Sequence, residues 1–155
     1  MARVLVVGYG NPLRCDDGLG WQVAVELFRA NRSPDVEVLP CHQLTPELAA
    51  SVSRFETVLF IDIARHGCPG EFLCEEVRPQ SAPPPLTHDL SPAALLDMSS
   101  ELYGTCPRAF LLTICGESFE PGESLSPCVC SHMQQLRARL RELIAESLMK
   151  PAHAY

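Results

Sequence analysis

Short runs of apolar residues recur along the chain, and segments with apolar residues three and four positions apart fall between them. The first run, from Arg3 to Gly8, is rich in valine and unbroken by polar residues, which predicts a strand buried on both faces. A helix follows from about Asp17 to Ala30, with Leu19, Val23, Ala24, Leu27 and Phe28 on one apolar face. Val36 to Leu39 is a short second strand, and Thr45-Pro46 opens a helix that ends near Val52, with threonine as cap and proline at the first helical position. Thr57 to Asp62 is a third buried strand, ending on a carboxylate. Gly70 to Val77 alternates less cleanly and reads as an edge strand, and Pro79 to Pro85 as a proline-rich loop. Ser91-Pro92 caps a helix to about Leu102, and Phe110 to Cys115 is the last buried strand. Ser126-Pro127 then opens a single final helix, in which Met133, Leu136, Leu140, Leu143, Ile144 and Leu148 recur at helical spacing until Pro151. Strands alternating with helices predict a three-layer αβα sandwich around a mostly parallel, twisted sheet of about five strands.

The length of 155 residues suits one domain, taken as 1–155. A net charge of -7 argues against a nucleic-acid partner, because the basic residues of the last helix alternate with glutamates and form no positive stripe. No apolar stretch is long enough to span a bilayer, and no export signal precedes the first strand, so the expectation is a cytoplasmic protein with no membrane partner. In that compartment the eight cysteines are expected as reduced thiols, and they include no Cys-x-x-Cys pair to suggest a structural zinc site.

In an open α/β sheet, ligands bind beyond the carboxyl ends of the strands, where the strand order reverses. Asp17 follows the first strand and Asp62 ends the third. If those strands are neighbours, their ends lie about 5 Å apart and both carboxylates face one crevice. His88, before the Ser91 cap, can fold over it. Two carboxylates and an imidazole suit a divalent ion of borderline hardness and leave positions free for a substrate. Plainer roles stand beside these: Asp16 or Asp17 as a helix cap, Asp62 binding backbone amides, His88 solvated in a loop. His66 lies in what reads as an exposed turn, and His132 and His153 look like surface residues. Three familiar motifs fail. Leu13 stands where a dinucleotide fingerprint needs its third glycine, Glu120 ends what begins as a serine-nucleophile elbow, and no phosphate-cradling loop is present.

Taken together, Gly8-x-Gly10-Asn11-Pro12-Leu13-x-x-Asp16-Asp17-Gly18-x-Gly20 resembles the hydrogenase maturation proteases. The likeness continues through Phe60-Ile61-Asp62, Thr87-His88-Asp89-Leu90-Ser91-Pro92 and Pro121-Gly122-x-x-Leu125-Ser126-Pro127, and so covers nearly the whole chain. It implies an endopeptidase, classed near the aspartic-type enzymes, that trims the C-terminal extension from the large-subunit precursor of a NiFe hydrogenase. It carries the family's catalytic and metal-contacting residues onto Asp17, Asp62 and His88, with nickel supplied by the large subunit. Asp17 is often glutamate in relatives. Where many relatives carry an Asp-Gly-Gly-Thr-like loop, this chain reads Cys41-His42-Gln43-Leu44-Thr45-Pro46-Glu47. That is similar to the branch serving bidirectional, NAD(P)-linked hydrogenases, and it makes His42 and Gln43 candidate substrate-binding residues, or else merely the lead into a helix. Two rival readings remain: a non-enzymatic chaperone or checkpoint that holds the nickel site of the large subunit, and a nucleotide-binding α/β domain.

Overall fold

The valine-rich opening run is β1 (Val4–Tyr9), and every one of its residues is buried. The other strands are β2 (Val36–Cys41), β3 (Thr57–Ala64), β4 (Phe72–Val77) and β5 (Arg108–Cys115). They form one sheet in the order β2-β1-β3-β5-β4. All pairings are parallel except that of the edge strand β4, which runs antiparallel to β5. The computed structural model describes residues 2–81 and 90–150, and the statements below concern those residues. No helix among them is long and apolar enough to cross a membrane.

Successive side chains of a strand point to opposite faces, and each central strand is apolar on both. Val4, Val6, Leu59, Ile61, Leu112 and Ile114 pack under α1 (Leu19–Ala30), α4 (Pro127–Cys130) and α5 (Met133–Met149). Leu5, Val7, Val58, Phe60 and Ala109 pack under α2 (Leu48–Val52) and α3 (Pro92–Tyr103). Removing each of the larger of these side chains from water contributes about 1.5–3 kcal/mol. The expected three-layer αβα arrangement is therefore what forms.

Several boundaries differ from the sequence pattern, for local reasons. The first helix begins at Leu19, because Cys15–Gly18 winds as a 3-10 turn. Phe28 is 63% exposed, so the apolar face of α1 is narrower than its spacing suggested. Two residues extend β3 beyond Asp62, still paired with β5 through Ile63 and Ala64. The helix expected from Thr45-Pro46 starts at Leu48 after a turn. The final helix is two: α4 ends because the Ser131 hydroxyl donates to the Cys128 carbonyl at 2.9 Å and His132 Nδ1 lies 2.9 Å from the same oxygen. The His132 amide turns instead to Val129, and α5 starts afresh. His132 is partly buried in this contact rather than a free surface residue. The Ser91 cap is as expected, its hydroxyl oxygen accepting from the Ala94 amide at 3.1 Å.

Candidate active site

The strand order reverses between β1 and β3, which leaves a crevice at their carboxyl ends. Two glycines let α1 settle close above this edge. A side chain at Gly8 would lie 2.1 Å from the Gly20 carbonyl oxygen, and one at Gly20 would lie 2.2 Å from that of Ile61. The loop between β1 and α1 is equally tight. Gly10 has φ +147, and a Cβ there would meet the Asp17 carbonyl oxygen at 1.9 Å. The Leu13 amide donates to Asn11 Oδ1 at 2.9 Å, closing a side-chain-stabilised turn around Pro12. Cys15 takes a left-handed φ of 47, unusual for a residue with a side chain, and is held there by its amide N–H donating to the Gly122 carbonyl oxygen at 2.8 Å.

Asp16 anchors this loop to the segment before α4. Its carboxylate is wholly buried and accepts from the amides of Glu117 (2.8 Å), Ser118 (2.9 Å) and Ser126 (2.7 Å) and from the Ser126 hydroxyl (2.8 Å). Burial pushes the Asp16 carboxyl up, but these hydrogen bonds outweigh it and hold the group below the ordinary carboxylate range. Asp16 thus caps neither the 3-10 turn nor α1, and Ser126 spends its hydroxyl on Asp16 instead of capping α4. Gly122, through the Cys15 amide, and Ser126, through Asp16, thus hold the loop after β1 in place.

With Asp16 turned inward, Asp17 faces the crevice. The Asn11 amide donates to its Oδ2 at 3.0 Å, and Arg65 donates to its Oδ1 at 2.7 Å. Asp62 lines the same groove from β3, beyond the last residue that pairs with β1. Its Oδ1 accepts from the Ile63 amide at 2.7 Å. Burial raises its carboxyl to about 7, against the pull of that amide and the Tyr9 hydroxyl, and the Asp17 charge adds to the rise. The Tyr9 hydroxyl is itself pushed well above its ordinary range, by burial first and the Asp62 charge second. A group poised at neutrality in a groove between two strand ends is what proton-transfer chemistry requires.

The groove measures about 790 Å³ and is also lined by His42, Gln43, Leu90 and Ser91. Of the residues singled out in the sequence, Asp17, Asp62, His42 and Gln43 therefore share one groove. His88 lies outside the described residues. His66 is exposed, as its turn suggested. Among the described residues no three His, Cys, Asp or Glu side chains stand together as a metal site. Two carboxylates alone make only a weak site for a bare ion, but they fit an ion that arrives already held by other ligands.

Sequence reasoning missed Arg65 and Tyr9. The connection from β3 to β4 must cross the end of the intervening β5, and it is tied there by the Gly70 amide donating to the Cys115 carbonyl at 2.7 Å. That crossing carries Arg65 along the mouth of the groove. The only signal was a cation three positions after Asp62.

Fold and groove together define an α/β protein with a carboxylate pair at its strand-reversal point. No protein-family model matches the chain. It is 29% identical over 162 residues to the hydrogenase 2 maturation protease of Escherichia coli (strain K12), covering 97% of this chain and 98% of that one. The structure is similar to a NiFe hydrogenase maturation protease, HycI, from Thermococcus kodakarensis KOD1, with a TM-score of 0.70 and 27% identity over 96% of this chain and 94% of that one. It shares its fold with the hydrogenase maturating endopeptidase HybD from E. coli, with a TM-score of 0.75 and 23% identity over 94% of this chain and 93% of that one. The resemblance to the hydrogenase maturation proteases is borne out: over nearly its whole length the chain is similar to proteins of that name.

Proposed function

We propose that the protein is an endopeptidase that removes the C-terminal extension of a nickel-loaded NiFe hydrogenase large-subunit precursor. The observation that carries this reading is that Asp17 and Asp62, from two different strand ends, line one groove in a chain similar to maturation proteases. The nickel belongs to the substrate. Its unfilled positions are met by Asp17 and Asp62 from the groove walls and by His88, which stands two positions before the groove residue Leu90 in the chain. Recognition through an ion borne by the client restricts processing to loaded precursor. Burial raises the Asp62 carboxyl to about 7 in the free groove, so it gives up a proton on meeting the client's ion, and its carboxylate is then the base beside the attacking water. Asp17, held by the Asn11 amide, keeps its orientation without rearrangement. His42 and Gln43 line the groove wall after β2 and are placed to read the client's chain.

The test is to incubate the protein with nickel-loaded precursor and follow the precursor's mass. A loss from its C-terminus is expected. Asp17→Ala, Asp62→Ala and His88→Ala should each slow it by orders of magnitude with the circular dichroism unchanged. Stable binding with no mass loss would mark the protein as a chaperone instead, and full processing by any variant would remove that residue from the site.

A further inference from the structure

Arg65 is paired with a carboxylate to which the proposed function assigns the client's ion. Its guanidinium donates to Asp17 Oδ1 at 2.7 Å, and its side chain lines the same groove as Asp17 and Asp62. The position is built rather than incidental. The guanidinium carbon lies 4.4 Å from the centre of the Phe119 ring, a cation–π distance. Phe119 in turn rests over Gly116, where an added Cβ would stand 2.6 Å from the ring. That platform belongs to the segment whose amides at 117 and 118 bind Asp16, so one loop fixes both Asp16 and the resting place of Arg65. The pair is nonetheless easy to open, since the Arg65 side chain is 55% exposed, and exposed ion pairs hold weakly.

We propose that Arg65 is a specificity-determining residue that acts as an internal substitute for the client's metal ion. In the free protein its charge occupies Asp17 and offsets the carboxylate field of the groove. A bare divalent ion must displace it with no other gain. A precursor-bound ion displaces it with the help of the whole protein interface, and the guanidinium keeps its contact with Phe119 as it leaves Asp17. The part of this that concerns the client rests on the function proposed above, but the competition at Asp17 does not.

The experiment therefore uses the full chain and nickel chloride alone, by titration calorimetry, with no precursor and no cleavage. Arg65→Gln should bind Ni²⁺ about tenfold more tightly than the parent, because a cation beside a divalent site is removed. Arg65→Lys, which keeps the charge, should stay near the parent affinity. The gain should vanish when Arg65→Gln is placed on an Asp17→Asn background, which separates this groove from the cysteines and histidines elsewhere. An Arg65→Gln affinity equal to the parent's, or a gain that persists without Asp17, would overturn the inference. A protein that passes this test but never shortens a precursor would refute only the peptidase reading.

Discussion

The carboxyl of Asp16 is shut away from solvent and takes four hydrogen bonds, while that of Asp17, one residue on, opens onto the groove. The pair shows how environment assigns work to identical side chains. Asp16 is ionised and satisfied, so replacing it leaves three part-buried amides and a hydroxyl without their acceptor. Asp16→Ala should cost about 3–5 kcal/mol, the scale for removing one partner of a buried charged network. Urea unfolding at pH 7 measures this. Because Asp16 is held below the ordinary carboxylate range, its contribution is present above the unfolded-state value and fades as pH falls through the folded one. The parent and the variant should therefore converge in stability toward strong acid. Neighbouring Asp-Asp is legible as a candidate site in the sequence. Which of the two is structural is not, because the donors that decide it lie about a hundred residues away, at 117, 118 and 126.

At the scale of elements, the site depends on how near α1 comes to the sheet. The carbonyls of Ile61 and Tyr9 leave no room for a side chain at Gly20. Gly104, by contrast, ends α3 with φ +71, and a Cβ added there would meet nothing within 4 Å. Gly20→Ala must push α1 off β1 and β3, which should cost roughly 3 kcal/mol or more and loosen Asp17 with it. Gly104→Ala meets only the left-handed backbone penalty and should cost about 1 kcal/mol. Thermal unfolding of the two variants side by side separates crowding from backbone strain. Element types were readable from periodicity, and the Ser91 cap from its proline. The break between α4 and α5 was not, because it depends on side chains of Ser131 and His132 capturing the Cys128 carbonyl, and hydrophobic spacing carries no trace of that.

For the molecule as a whole, the groove is maintained against stability. Asp62 has an ordinary value of 3.8 and is raised to about 7 by burial. The folded state thus holds its proton more tightly than the unfolded chain does. Its contribution is present in full below about pH 4 and lost as pH rises through about 7. Asp62→Asn removes that dependence, so it should match the parent near pH 4 and exceed it in stability above pH 7, while failing to process precursor. Denaturant titrations across this range check the sign, and a variant less stable than the parent at pH 8 would contradict it. Stability gained at the expense of function is the mark expected of a carboxylate with the role proposed for Asp62.

The order of strands and helices, their apolar faces, and the carriage of Asp17 and Asp62 to one end of the sheet follow from the chain's own pattern, because periodicity and strand ends are local properties. The tertiary structure alone decided that Asp16 is buried, that Ser126 serves it instead of a helix end, and that Arg65 covers Asp17. Each of these depends on which distant groups come within hydrogen-bonding reach, and only the packed sheet, with its β3-to-β4 crossing, sets those distances.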